Sequence, residues 1–208
     1  MSRVKLSILI PTIPNRVGSF FVNIIDGLQK QIGNRQNIEI LGLFDNKKRT
    51  IGEKRQSMLD IANGEYLVFI DDDDRVADTF IEDVMNALDS NPTADCVVYD
   101  CICTIDNNKK IYCKYGIEYE YSPDHNTGKW FGKPAHTMVY RAAIAKKHRY
   151  TEISHGEDTD WVKRACKDIK VQVRIDKVLY HYDCSHATSE TRGQLSKSTL
   201  QKPTKNLK

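Results

Sequence analysis

The sequence predicts an α/β domain with a mainly parallel central sheet flanked by helices. Three observations carry this. Apolar strand-like runs alternate with helical periodicity three times in the first half, the connections between them are short, and 208 residues at 40% hydrophobic and 28% charged suit one domain with a real core. Residues 5–10 form an apolar strand, ended by Pro11 and Pro14. Phe21, Ile24, Ile25 and Leu28 recur at helical spacing across 20–31. Residues 38–44 read as a second strand, and 50–62 as a second helix closed by Asn63-Gly64. Residues 65–70 give a third strand, and 77–88 a helix that stops before Pro92.

The second half is mixed and predicts a smaller mixed sheet. Strands are expected at 96–104 and 110–114 around an Asp106-Asn107-Asn108 turn, and at 136–140 before a helical stretch from Arg141. A helix is expected at 157–167 and strand character at 171–180. The expected organisation is one domain over 1–190, with halves 1–104 and 105–190, then a polar tail at 191–208. That tail carries Lys197, Lys202, Lys205 and Lys208 without acidic residues after Glu190, and reads as a solvated linker to further domains.

Composition excludes several classes. No run of about 18 apolar residues would span a bilayer. The apolar start, residues 6–10, is shorter than the ~7–15 residues of a secretory signal, so a cytoplasmic protein is expected. The net charge of +3 does not point to nucleic acid. Six cysteines without C-x-x-C spacing read as reduced thiols and not as a zinc site; Cys101 and Cys103 share one strand face as packing residues.

Asp71, Asp72, Asp73 and Asp74 directly follow the third strand. Like charges this close raise one another's pKa, so something must compensate. A hard divalent cation is the simplest candidate, since Mg²⁺ and Mn²⁺ take carboxylate oxygens and share substrate phosphates. The rival reading is a helix N-terminus capped by Asp73 or Asp74, with the others solvated. Placement after a third parallel strand favours a ligand site, because such sheets bind ligands at the carboxyl ends of their strands.

Six segments in order then resemble one family. Gly64-Glu-Tyr-Leu-Val-Phe-Ile-Asp-Asp-Asp-Asp74 is similar to the G-E-Y-x-x-F-x-D-x-D-D stretch of GT-A fold glycosyltransferases of the family 2 type. Ser7 to Arg16 resembles the opening strand and nucleotide loop, Leu41-Gly-Leu-Phe-Asp45 the second strand, and Lys54-Arg55-Gln56 the Ala-Arg-Asn segment. Gly156-Glu-Asp-Thr-Asp-Trp161 resembles the late Glu-Asp motif, and Tyr180-His-Tyr with His186-Ala-Thr-Ser189 the closing aromatic–histidine segment. A compact domain with a polar tail is also similar to the first module of multidomain glycosyltransferases of large, chlorovirus-like DNA viruses, which implies a viral protein in the host cytoplasm.

The resemblance implies a GT-A (Rossmann-like) fold and a transferase that moves a sugar from a UDP-sugar, of glucose or rhamnose type, to a hydroxyl of a glycan or glycoprotein acceptor with Mn²⁺ or Mg²⁺. Pro11, Thr12 and neighbouring backbone would line the uridine pocket. Asp45 would accept from uracil, Arg55 would lie near the nucleotide, Asp71 would reach the ribose with Asp72 assisting, and Asp73 would bind the metal. His181 or His186 would complete the metal shell. Bland alternatives stay open: Asp45 as a turn residue before Asn46, Arg55 as an ordinary helix ion pair, His181 in a strand core, His186 idle in a polar segment.

Glu157 and Asp158 open a helix after Gly156, where acidic residues are favoured in any case. By the resemblance Asp158 is the base that takes the acceptor's proton, and Glu157 orients the acceptor or tunes Asp158; inverting and retaining outcomes are both open. Residues 115–134, with Tyr119, Tyr121, His125, Trp130 and Phe131, read as an acceptor-side loop. His136 beside it would face acceptor or pyrophosphate, and Trp161 is a core residue or a sugar-stacking wall. Three rival functions are a nucleotidyltransferase, disfavoured because Pro11-Thr-Ile-Pro14 is no Gly-rich phosphate loop, an acidic-loop phosphatase with an aspartyl nucleophile, which would want its aspartates after the first strand and not the third, and a non-catalytic sugar-binding module, which has no use for the acidic run.

Overall fold

The computed structural model describes residues 3–106, 109–124 and 128–184. Strand β1 (Leu6–Thr12) is buried along its whole length. A 3-10 turn and a π turn lead into α1 (Val22–Ile32), which buries Ile24 and Leu28 from its apolar stripe. Then follow β2 (Ile38–Phe44), α2 (Ile51–Ile61), β3 (Tyr66–Phe69), the two-residue β4 (Arg75–Val76) and α3 (Phe80–Ser90). The second half contains β5 (Cys96–Ile105), β6 (Lys109–Tyr115), β7 (Ser122–Asp124), β8 (Lys129–Gly132), β9 (Val139–Arg141), α4 (Ala142–Ala145), α5 (Glu157–Ala165) and β10 (Gln172–Cys184). No described helix is long and apolar enough to cross a membrane.

All ten strands of the described residues join one mixed sheet, not a parallel sheet beside a separate smaller one. β1 lies between β2 and β3, parallel to both. β9 inserts antiparallel between β3 and β5. β10 runs parallel to β5, while β6 pairs with the opposite edge of β5 beyond β9. The boundary expected at 104/105 therefore falls inside β5, and the two halves interleave through β9 and β10. β2 is the outer strand and is only half buried, whereas β3, covered on both faces, is wholly buried and reads as a continuous apolar run.

Two differences from the expected elements bear on the site. The helix expected from 77 starts at Phe80, because β4 intervenes and pairs with Tyr180 and His181 of β10. The stretch expected as an acceptor-side loop folds into β7 and β8, with β8 parallel to β6. Local patterning misses both, because strands of two to four residues carry too few positions to show a period.

Two glycines are required where elements meet. A Cβ on Gly52 would lie 1.9 Å from the Thr151 carbonyl oxygen, so only glycine lets α2 pack onto residues 151–153. Gly156 turns into α5 with φ of 80°, in the left-handed region. The core beneath them is aromatic: Trp161 stacks on Tyr150 at 5.1 Å, Tyr140 meets it edge-on at 4.9 Å, and its indole N–H donates to the His148 carbonyl. At 1% exposure Trp161 is a core residue, which decides between the two readings left open for it.

Candidate active site

The segments following β1, β2 and β3 face α5 and β10 across a crevice of about 880 Å³. Pro11, Thr12, Arg55, Asp71, Asp73, Glu157 and Asp158 all line it. Seven of the residues singled out from sequence, spread over 148 positions of chain, are thus brought to one cavity.

The acidic run is a tight turn, closed by the Asp74 N–H donating to the Asp71 carbonyl, and its four carboxylates differ. Asp72 is 3% exposed; it accepts from the Thr12 hydroxyl at 2.6 Å and from Arg16 at 2.8 Å. It braces the β1 loop and does not line the crevice. Asp74 is also buried, and accepts from the Tyr180 hydroxyl at 2.6 Å and the Asp183 N–H at 3.1 Å. It ties the turn to β10 and caps no helix; Thr79 is the residue preceding α3. Burial, with Asp71 beside it, pushes Asp74 well above the usual carboxylate range.

Asp71 and Asp73 face the crevice. Burial would raise Asp71, but the Arg55 guanidinium at 2.8 Å and His136 at 3.4 Å outweigh it and hold the carboxyl well below its ordinary value. Asp73 pairs with Arg16 at 2.8 Å, yet burial and then Asp71 and Asp72 leave it raised to about 6. Of Asp71 and Asp73 it is the less compensated carboxylate.

Arg55 and His136 join the two walls. Arg55 is 4% exposed, lies over the Phe69 ring at 5.1 Å, and places Nε 3.4 Å from Glu157 while Nη2 holds Asp71. Its Nη1 is buried without a hydrogen-bond partner among the described residues. His136 sets Nε2 3.4 Å from Asp71 and Nδ1 3.4 Å from Asp158. Burial raises Glu157, opposed by Arg55 and reinforced by Asp158. Asp158 Oδ1 accepts from the Thr159 N–H at 2.7 Å, which leaves Oδ2 toward His136 and the cavity.

Asp45 pairs with Lys54 at 2.8 Å, and Lys54 also donates to the Thr12 carbonyl. Burial opposes, but Lys54 dominates and lowers the Asp45 carboxyl. Its Oδ2 is buried and has no hydrogen-bond partner among the described residues, and Asp45 is not among the residues that line the crevice. The Lys47 N–H also donates to Asp45, so the turn reading holds alongside.

His181 corrects an expectation. Successive side chains of a strand point to opposite faces. Tyr180 and Tyr182 line the crevice, so His181 faces away, into a separate small pocket with Arg75, Lys110 and Asp183. It cannot share a cation with Asp73. His186 lies outside the described residues. Among the described residues no group of three or more His, Cys, Asp or Glu could cage a metal ion. Asp73, short of positive charge and facing the crevice, instead fits a cation shared with substrate phosphates, the usual manner of Mg²⁺.

Arg16, Lys54 and Tyr180 lie within the matched segments without carrying a role in the sequence reading, and His136, expected to face acceptor or pyrophosphate, stands between Asp71 and Asp158. Their signal is weak in sequence, because a buried cation on a helix such as α2 breaks the apolar stripe instead of marking it.

The description "Glycosyl transferase family 2" matches residues 18–149. No curated protein matches the chain. Among solved structures, TarS 1-349 of S. aureus superposes with a TM-score of 0.62 at 17% identity, over 86% of this chain and 60% of that one. A second structure of S. aureus TarS gives 0.61 at 16% identity, over 88% of this chain and 37% of that one. TarS 1-349 in complex with UDP-GlcNAc gives 0.59 at 16%, over 86% and 58%. The chain thus spans less than two thirds of these structures, and at this identity the likeness is one of fold: an α/β, GT-A-like architecture with a curled mixed sheet.

Proposed function

Because the chain belongs to glycosyl transferase family 2, we propose that it moves a sugar from a UDP-sugar to a hydroxyl of a glycan acceptor, with Mn²⁺ or Mg²⁺. One observation carries this reading: Asp71 and Asp73 on one wall of the crevice face Asp158 on the other, with His136 between them. A metal-held diphosphate and an activated hydroxyl need such opposed groups. TarS was crystallised with UDP-GlcNAc and with UDP, which supports a uridine nucleotide here.

In this reading Pro11 and Thr12 line the uridine, and Asp45 Oδ2 accepts from the uracil N–H. Asp71, with Asp72 bracing the loop, takes the ribose hydroxyls, and Arg55 holds Asp71 in place. Asp73 would hold the cation, whose charge would offset that on the leaving diphosphate. The acceptor oxygen attacks the anomeric carbon, the bond to the diphosphate breaks, and UDP leaves with the electron pair. The acceptor's proton passes to Asp158 Oδ2. Glu157 orients the acceptor, and His136 positions Asp158. A single displacement with Asp158 as base inverts the anomeric centre.

The donor sugars to test are glucose and rhamnose, with N-acetylglucosamine added from TarS. UDP should raise the melting temperature with Mn²⁺ and not with EDTA. UDP release from UDP-glucose, UDP-rhamnose and UDP-GlcNAc, with NMR of the product, then identifies the sugar and the stereochemistry. If no UDP-sugar shifts the melting temperature in the presence of metal, the reading fails.

A further inference from the structure

Among the described residues two arginines pair with the acidic turn, and they are mounted differently. Arg55 stands on α2, is 4% exposed, and is held by Asp71, Glu157 and the Phe69 ring. Arg16 stands on the segment that joins β1 to α1. Its Nη1 lies 2.8 Å from Asp72 Oδ1 and its Nη2 lies 2.8 Å from Asp73 Oδ2, so one fork spans two adjacent carboxylates. Arg16 lines the crevice, and its guanidinium lies 5.9 Å from the centre of the exposed Phe20 ring.

The segment that carries Arg16 is fixed at its ends and loosely held between them. At one end Lys54 donates to the Thr12 carbonyl, and at the other α1 begins at Val22. In between, a 3-10 turn (Pro14–Arg16) passes into a π turn (Val17–Phe21), and neither contains a buried residue or a side-chain cap. Hydrogen bonds in such turns are poorly aligned, and segments that bury little reorganise at the low end of a protein's stability range. Arg55 cannot leave without stranding buried carboxylates. Arg16 can swing with its own segment, and Asp72 would still accept from the Thr12 hydroxyl at 2.6 Å.

We propose that Arg16 is the resident counter-cation of Asp72 and Asp73, that it yields Asp73 to a divalent cation only when a nucleoside diphosphate enters, and that it then closes on the diphosphate. The proposal rests on the transferase reading above and adds the order in which the site fills. Asp73 Oδ2 is already taken by Arg16. A divalent cation placed beside that guanidinium would set two like charges on one carboxylate, which disfavours both. A diphosphate removes the conflict. It shares oxygens with the cation, and a guanidinium fork matches phosphate oxygens two at a time. Metal alone should therefore bind weakly, and metal and nucleotide should bind as a pair, each raising the other's affinity by the same factor.

Mn²⁺ binding to the full chain can be followed by loss of the free ion's electron paramagnetic resonance signal, with and without UDP. In wild type, UDP should tighten Mn²⁺ binding by about a hundredfold. Arg16→Gln frees two carboxylates and should bind Mn²⁺ alone about tenfold more tightly, the equivalent of one charge-assisted hydrogen bond that no longer has to be broken. Its enhancement by UDP should fall to about tenfold or less. The gain in Mn²⁺ affinity should vanish when Asp73→Asn is added to Arg16→Gln, which assigns the ion to Asp73; a gain that survives overturns the proposal. Arg16→Lys keeps the charge without the fork, so it should move both quantities in the same directions by less, and it carries the test if the glutamine variant does not fold. A merely structural role for Arg16 would weaken both measurements together. If wild type binds Mn²⁺ with UDP but Arg16→Gln binds Mn²⁺ alone no more tightly, the displacement is overturned while the transferase reading stands. Failure of wild type to bind Mn²⁺ even with UDP sinks the transferase reading instead.

Discussion

The four aspartates are equivalent in sequence and unlike in structure. Asp72 and Asp74 are buried braces, Asp71 is held ionised by Arg55, and Asp73 is lifted to about 6. The Asp73 shift fixes a pH dependence. Its folded pKa lies above the ordinary value of 3.8, so the folded state binds the extra proton between about pH 4 and 6. Its contribution to stability is therefore present below about pH 4 and is lost as pH rises through 6. Asp73→Asn should raise the apo melting temperature more at pH 7 than at pH 4, read by thermal scans across that range; an equal gain at both would contradict the shift. The same variant, or Asp73→Ala, should lose the metal-dependent part of UDP binding. Asp158→Asn should retain that binding and lower kcat by ~10²–10⁴, the usual worth of a positioned base, in a UDP-release assay. Arg55→Met strands Asp71 and Glu157 in a buried site and should cost about 3–5 kcal/mol in chemical denaturation.

At the scale of elements, the site depends on how α2 is anchored. Thr50 and Glu53 form a reciprocal capping box at its start, and Gly52 sits against residues 151–153. Thr50→Ala should cost about 1 kcal/mol in denaturant unfolding without altering UDP affinity, because the cap holds the helix and touches no crevice group. Gly52→Ala should act differently. Its Cβ meets backbone that leads directly to Gly156 and Asp158, so kcat should fall further than the melting temperature predicts. The long helices and the first three strands were legible because eleven-residue helices and buried strands repeat their pattern often enough to read. β4, β7 and β8 were not, and their pairing comes from partners distant in the chain.

The strands of the described residues form one interleaved sheet. β9 closes the gap between β3 and β5, and β10 covers the far edge of β5. A fragment of residues 1–104 should therefore fail to fold, giving no cooperative thermal transition by circular dichroism, because the edges of β3 and β5 would lack their partners. By itself the sequence determined the α/β class, the order of the strand–helix units and the carboxylates at the strand ends. Those follow from local periodicity and from motifs that are contiguous in the chain. Only the tertiary structure decided that His181 faces away from Asp73, that Trp161 belongs to the core, and that His136 stands between Asp71 and Asp158. Each of those depends on which face of a strand or loop meets a segment tens of residues away, and the reason is physical: a side chain's role is set by its neighbours in space, and burial and pairing are properties of the packed chain.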